Sequence, residues 1–258
     1  MSRRPLRDTL VITRRNLRRY IRLPQLLFFS SVQPVMFLLL FTYVFGGALG
    51  GAITVPGGTY IDYLLPGILV QMVMFGGVQT GIGLADDLGK GIIDRFRSLP
   101  MSRLAVVAGR TVSDTIRNAA VITIMIAVGL LIGFRFHATA LAATASLLVA
   151  LAFGFALSWV FALVGLWTKE AESAQLASFA VVFPLTFASS AFVPVQTMPD
   201  WLQAFAGHQP VTAAVDAVRQ LALGMPGDGS VTQSLAWSAV LLAAFVPLAL
   251  WQYKRRVS

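Results

Sequence analysis

Two pairs of opposite charge stand among long apolar runs: Asp114 with Arg117, and Asp216 with Arg219. Each pair is three residues apart, a spacing that puts both side chains on one face of a helix and lets them form an ion pair. Ionisable residues within a bilayer are candidates for function by default, because they are expensive to keep there. For Asp114 and Arg117 the count along the chain gives another reading. A spanning length of about 20 residues, taken back from Phe134, puts Thr115 at the membrane boundary. Both charges could then snorkel to the headgroups as an interfacial ion pair. Uncharged polar residues are scattered through the same apolar runs: Gln33, Gln71, Gln79, Thr80, Ser178, Thr186, Ser189 and Ser190. They could line a polar path or bond helix to helix. Each taken singly fits helix packing. As a set, Gln71, Gln79, Thr80, Ser178, Thr186, Ser189 and Ser190 are candidates for a substrate path.

Catalysis finds no foothold. The stretch "GLADDLGKG" superficially resembles a phosphate-binding loop, but the required spacing fails at Leu84 and Gly91, and no strand precedes it. No Ser/His/Asp set falls on one membrane face, and no pair of carboxylates sits inside a span. Cysteine is absent, which excludes disulfides and thiolate metal sites. The two histidines, His137 and His208, are too few for a histidine-based metal centre. No metal site is expected, and His208 reads as an exposed or capping residue.

The elements that must position these residues are membrane helices. Of 258 residues, 57% are hydrophobic and only 12% charged, and the mean hydropathy is +0.75. The net charge of +9 does not point to nucleic acid, because eight of the 20 Lys and Arg residues lie in the first 22 positions and most others fall in short gaps between apolar runs. That distribution suits the anionic cytoplasmic face of a membrane. The expected fold is an all-α polytopic membrane protein forming one domain: an amphipathic helix within 1–25, a six-span region over 26–252, and a tail at 253–258. In the first piece Leu6, Leu10, Leu17 and Ile21 share one face beside an arc of Arg7, Arg14, Arg18 and Arg22, so the helix should lie along the cytoplasmic surface. A secretory signal is the rival reading. It fails because the basic region is too long and the next apolar run has spanning length.

The six spans are expected near 26–45, 61–84, 112–133, 140–167, 176–193 and 233–251, with Pro184 kinking the fifth. With the N-terminus inside, sixteen cations fall on the cytoplasmic side and two, Arg135 and Arg219, outside. Both termini are therefore expected to be cytoplasmic. The external segment 194–231 contains two short helices, each opened by a proline (Pro199, Pro210) and followed by a glycine (Gly207, Gly224). Trp201 lies on the first. Val211, Val215, Val218 and Ala222 stripe the second, where Asp216 and Arg219 pair. Helices too short to span could form a re-entrant hairpin or a surface-lying lid.

A charged interruption, "GIIDRFRSLP" at 91–100, follows the second span on the cytoplasmic side. At helical pitch Leu88, Ile92, Phe96 and Leu99 align while Lys90, Asp94 and Arg97 point away, and Pro100 ends the helix. Such a helix can rest on the membrane interface or present itself to a docked protein.

Two stretches resemble a known family. "GKGIIDRFRSLPMSRLAVVAGR", residues 89–110, is similar to the cytoplasmic loop of ABC-2 transporter permeases of the daunorubicin-resistance drug-exporter type. "FVPVQTMPDWLQAFAGHQPVTAAVDAVRQLALG", residues 192–224, resembles the same family's external segment before the last span. The resemblance covers nearly the whole chain. It implies a transport subunit without enzymatic activity, paired with a separate ABC ATPase present in two copies, and a second permease chain as homodimer or heterodimer. It implies no cofactor on this chain, with ATP and Mg held by the partner. It makes the loop after the second span a coupling helix, to which Gly91, Ile92, Asp94, Arg95, Phe96, Arg97, Leu99 and Pro100 would contribute. Many relatives carry Glu and Arg ahead of this motif, where this chain has Asp86, Asp87 and Leu88, so the polarity of that edge departs from the family pattern.

The expected role is outward movement of an amphipathic drug, antibiotic or lipid. A polysaccharide or cell-envelope glycolipid exporter, an ion-coupled secondary transporter with three-plus-three inverted repeats, and a membrane anchor without transport are the alternatives. The halves show no sequence echo and no mid-membrane carboxylate suited to ion coupling. The excess of Arg over Lys, 17 to 3, points to a GC-rich bacterial genome and hence a bacterial cytoplasmic membrane.

Overall fold

The structure is a computed structural model that describes residues 5–22, 24–49, 59–92, 103–168 and 170–257. Among these residues all regular structure is helical. The principal helices are α1 (Pro5–Arg22), α2 (Pro24–Leu40), α3 (Tyr60–Gly89), α4 (Arg103–Leu131), α5 (Ala140–Thr168), α6 (Ala171–Phe187), α7 (Asp200–Ala206), α8 (Pro210–Leu223) and α9 (Ser230–Val257). A π-helical turn, Phe41–Phe45, and a short turn, Gly46–Leu49, prolong α2. Four helices are long and apolar enough to cross a membrane, namely α3, α4, α5 and α9. Two shorter apolar stretches are Ser30–Val44, in α2 and its π-helical extension, and Ala171–Phe187, which is α6.

Local chemistry accounts for the ends. Asp62, in the first turn of α3, accepts hydrogen bonds from the Thr59 amide at 2.7 Å and the Thr59 hydroxyl at 3.0 Å, a capping arrangement. It also accepts the Arg135 amide at 3.0 Å, tying the α4–α5 link to the start of α3. At the other end of α3, Gly91 takes a φ of +65°, a left-handed conformation that suits glycine. Helix α8 begins at Pro210 and stops at Gly224, which also has a φ of +65°.

Two expected boundaries move. The third span was expected from 112, yet α4 starts at Arg103, more than two turns earlier. The fifth was expected to reach 193, yet α6 ends at Phe187. Beyond it, Ser189 donates to the Thr186 carbonyl, and the Gln209 amide donates to the carbonyls of Leu185 (2.9 Å) and Ala188. Side-chain donors that satisfy the last carbonyls remove the incentive to continue the helix. The second helix of the external segment, α8, is not a surface-lying lid. Val211, Val215, Val218 and Ala222 are all buried, and α8 packs against α3, α5 and α9. The first helix, α7, differs: Pro199 and Trp201 are exposed.

Helix α3 is the hub of the bundle, buried over most of its length and packed most extensively on α5. The crossing is close because it runs through glycine. A Cβ on Gly165 would overlap the Gly81 carbonyl, and one on Gly81 would overlap the Phe161 carbonyl. Small residues let transmembrane backbones approach, and packing then supplies the association that water supplies in soluble proteins. Gly165→Val should therefore force the helices apart and cost at least about 1–3 kcal/mol, read as a lowered thermal midpoint of the purified protein in detergent. An unchanged midpoint would contradict this crossing.

Candidate functional site

Arginine inside a bundle must have its donors satisfied, because a guanidinium cannot discard its charge. Arg117 is only 8% exposed and Asp114 2%. Their nearest charged atoms are 3.7 Å apart. Neither side chain snorkels outward as the spacing suggested. The early start of α4 puts both well inside a helix, where α1 and α3 cover them.

A polar ladder results between α3 and α4, which run antiparallel. Arg117 donates to the Gly76 carbonyl at 3.0 Å and to the Asn118 side chain at 3.3 Å. One turn along, the Thr80 hydroxyl donates to Asp114 at 2.7 Å. One turn further, Arg110 donates to the Gly83 carbonyl at 3.1 Å and to Asp87 at 3.0 Å. The Arg110 Nε has no hydrogen-bond partner and lies 3.7 Å from Asp114. Glycine at 76 and 83 leaves room for these side chains: a Cβ on Gly76 would strike Asn118, and one on Gly83 would strike Arg110.

Helix α1 closes the ladder from outside. The Tyr20 hydroxyl donates to Asp114 at 2.8 Å, Asn16 donates to Ser113 at 3.3 Å, and Thr13 donates to the Gly109 carbonyl at 3.1 Å. Burial pushes the Tyr20 hydroxyl up from its usual range, and the Asp114 charge adds to the shift. So α1 carries three stripes. Ile12, Thr13, Asn16 and Tyr20 face α4, while Leu6 and Leu10 stay exposed on a second face and Arg7, Arg14 and Arg18 on a third. The inward stripe was not expected from an apolar-versus-basic reading of α1.

Beside the ladder lies a cavity of about 600 Å³, bounded mainly by α2, α3, α4 and α6. Arg110, Arg117 and Asp86 stand at its charged side, with Phe37, Phe75 and Phe179 on its apolar side. Of the path candidates, Gln71 and Gln79 line it, as does Gln33. The others do not. Thr80 lies in the ladder, Ser178 bonds the Ala174 carbonyl of its own helix at 2.6 Å, and Thr186 lies 3.8 Å from the Met74 sulfur. Ser189 and Ser190 belong to the turn after α6, where Ser190 donates to Asp216 at 2.7 Å.

A second polar knot forms at the far end of α3. Arg219, only 6% exposed, pairs with Asp216 at 2.9 Å and donates to the carbonyls of Tyr63 (3.1 Å) and Ser190 (2.8 Å). Its guanidinium lies 3.7 Å from the centre of the Tyr63 ring, a cation–π contact. Burial raises the Asp216 carboxyl from its usual range against the pull of Arg219.

Of the loop residues singled out in the sequence, Gly91 and Ile92 end the described part of α3. Asp94, Arg95, Phe96, Arg97, Leu99 and Pro100 lie outside the described residues. Tyr20, Arg110 and Asn118 in the ladder, and Asp62 at the start of α3, were missed. Of these only Asp62 had a local signal, the "TYID" pattern of a helix start at 59–62.

A family model described as ABC-2 type transporter matches residues 7–223, an interval holding the ladder, the cavity and the second knot. The chain belongs to the ABC-2 transporter family. It is 38% identical over 225 residues to a daunorubicin resistance ABC transporter permease of Streptomyces coeruleorubidus, covering 87% of this chain and 78% of the relative. It is 28% identical to a permease of Mycobacterium tuberculosis assigned to doxorubicin resistance, covering 94% of this chain and 87% of that one. As an ABC-2 permease the chain is an integral membrane component of a transporter and not an enzyme.

The ladder makes a direct prediction for this permease. Asp114→Ala leaves the buried Arg117 guanidinium without its anion, and removing one partner of a buried pair costs about 3–5 kcal/mol. A large fall in the thermal midpoint in detergent is expected; a fall no greater than that for an exposed substitution such as Asp200→Ala would show that the ladder contributes little.

Proposed function

We propose that this permease is the membrane half of an ATP-driven exporter that moves an amphipathic drug, antibiotic or lipid outward across a bacterial cytoplasmic membrane. Six spans form in this reading, α2 and α6 completing the four longer helices, and both termini are cytoplasmic. ATP and Mg are held by a separate ABC ATPase, present in two copies. A second permease chain, identical or related, completes the path, and the apolar faces of α2 (Met36, Leu40) and α6 (Val181, Phe183), left exposed beside the cavity, are suited to meet it.

The observation that carries this reading is the cavity. It places amide, charged and aromatic groups together between helices of spanning character, which is what an amphipathic cargo needs. Among the described residues that line it there is no nucleophile–base pair. The names of the relatives, which concern daunorubicin and doxorubicin resistance, support a cargo of drug size.

Coupling to the ATPase falls to residues 91–100. Phe96 would supply an apolar anchor, and Arg95 and Arg97 rim charges that steer assembly. Helix α3 leads into this loop and α4 leads out of it, so a pull on the loop reaches the helices that wall the cavity. Phe96→Ala, or charge reversal by Arg97→Glu, should abolish co-purification with the partner ATPase while leaving membrane insertion intact. Normal co-purification and vanadate-sensitive efflux by both variants would refute the docking role. Efflux driven by a proton gradient with this chain alone would refute ATP-driven export.

A further inference from the structure

The charged groups at the cavity are already engaged within the protein. Arg117 is held by the Gly76 carbonyl and Asn118, Arg110 by the Gly83 carbonyl and Asp87, and Asp86 by Lys90 at 2.7 Å. The Arg110 Nε, though unbonded, is sealed from the open space, so the polar capacity that a cargo can reach among the described residues is uncharged. Gln71, only 5% exposed, reaches the cavity, and its amide makes no hydrogen bond among the described residues. Gln33 on α2 and Gln79, two turns along α3 from Gln71, line the same space and are likewise unbonded among the described residues. The Gln71 amide is not sealed in the packing but opens onto the cavity, so its donors and acceptor are available to whatever binds there.

Resting on the reading of this cavity as the substrate path, we propose that the cargo's polar part is uncharged and hydrogen-bonding, a cluster of hydroxyl or carbonyl groups as on a glycoside, and that Gln71 is its specificity-determining contact. The amide offers two N–H donors and a carbonyl acceptor, so it matches a hydroxyl in either sense. A charged head entering the same space meets no free counter-ion among the described residues and must surrender its hydration. The apolar part of the cargo lies against Phe37, Phe75 and Phe179, the last two in edge-on contact at 5.9 Å. A volume of about 600 Å³ lies within the range of about 300–1,000 Å³ typical of sites for drug-sized molecules. Sites built to hydrogen-bond a substrate reject analogues that lack the group far more strongly than apolar pockets reject an extra methylene.

The test uses the permease with its ATPase in nanodiscs and three probes sharing one alkyl chain, each below its micellar concentration: an alkyl glucoside, an alkyl trimethylammonium and an alkyl sulfate. The readout is the half-maximal concentration for stimulating ATP hydrolysis, with empty nanodiscs correcting for partitioning. The glucoside is expected to act at a concentration at least about tenfold below either charged probe, as the loss of one buried hydrogen bond implies. Gln71→Met, which preserves length and apolar volume, should remove that preference, and Gln71→Glu should turn it towards the trimethylammonium head. Equal or better stimulation by a charged head, or an unchanged ranking in both variants, would overturn the proposal. So would a change in permease copy number in Gln71→Met, which would make the amide a contact between chains. Stimulation by none of the three probes would overturn the underlying reading of the cavity as well.

Discussion

The bundle depends on how two guanidiniums are kept inside it. Arg110 and Arg117 are held by the backbone of α3 at Gly83 and Gly76, and by Asp87 and Asp114. Apolar helices in lipid can slide past one another at little cost, because one methyl contact replaces another. Helices joined by charge-assisted hydrogen bonds at successive turns cannot, since a shift of one residue leaves every donor without its acceptor. The ladder therefore fixes the register of α3 against α4, and through Tyr20 and Asn16 it fixes α1 to both. Residues 93–102 connect in sequence the very two helices so joined.

The same logic holds at the opposite end of α3. Arg219 gathers the Tyr63 carbonyl, the Tyr63 ring and the Ser190 carbonyl, and so binds α8 and the turn after α6 to α3. With polar knots at both ends and glycine crossings with α5 between them, α3 is tied to its neighbours along most of its length. The cavity lies beside it, and the described residues of α2 and α6 carry fewer polar ties to it than α4 does.

Much of this was legible in the sequence, and the failures share one cause. The long helices, the proline and glycine limits of α8, and the apolar stripe of Val211, Val215 and Val218 follow from periodicity and from backbone chemistry that acts over a few residues. The partner of Arg117 does not. Asp114 is near in sequence, but Gly76, Thr80 and Tyr20 are distant, and no local pattern announces an arginine that will bond a carbonyl on another helix. Counting a minimum spanning length placed the boundary at Thr115, which treated as superficial a pair that tertiary cover makes internal. The polar residues of the spans divided for the same reason. Ser178 could satisfy its hydroxyl on its own backbone, whereas Gln71, with a longer side chain and three bonding groups, could not, and that difference separates packing from path only once the neighbours are known.

The three-striped α1 bears on how this molecule sits in its bilayer. A helix held only by lipid would float at whatever depth its leucines and arginines prefer, independent of the bundle. Here Thr13, Asn16 and Tyr20 weld it to α4, while Leu6 and Leu10 stay exposed. The depth of such a helix is thereby tied to that of the bundle. If α1 lies along the membrane surface, as its leucine and arginine faces lead one to expect, any tilt of α4 sweeps it sideways through the headgroups, and the viscosity and lateral pressure of that leaflet brake the bundle's own motion.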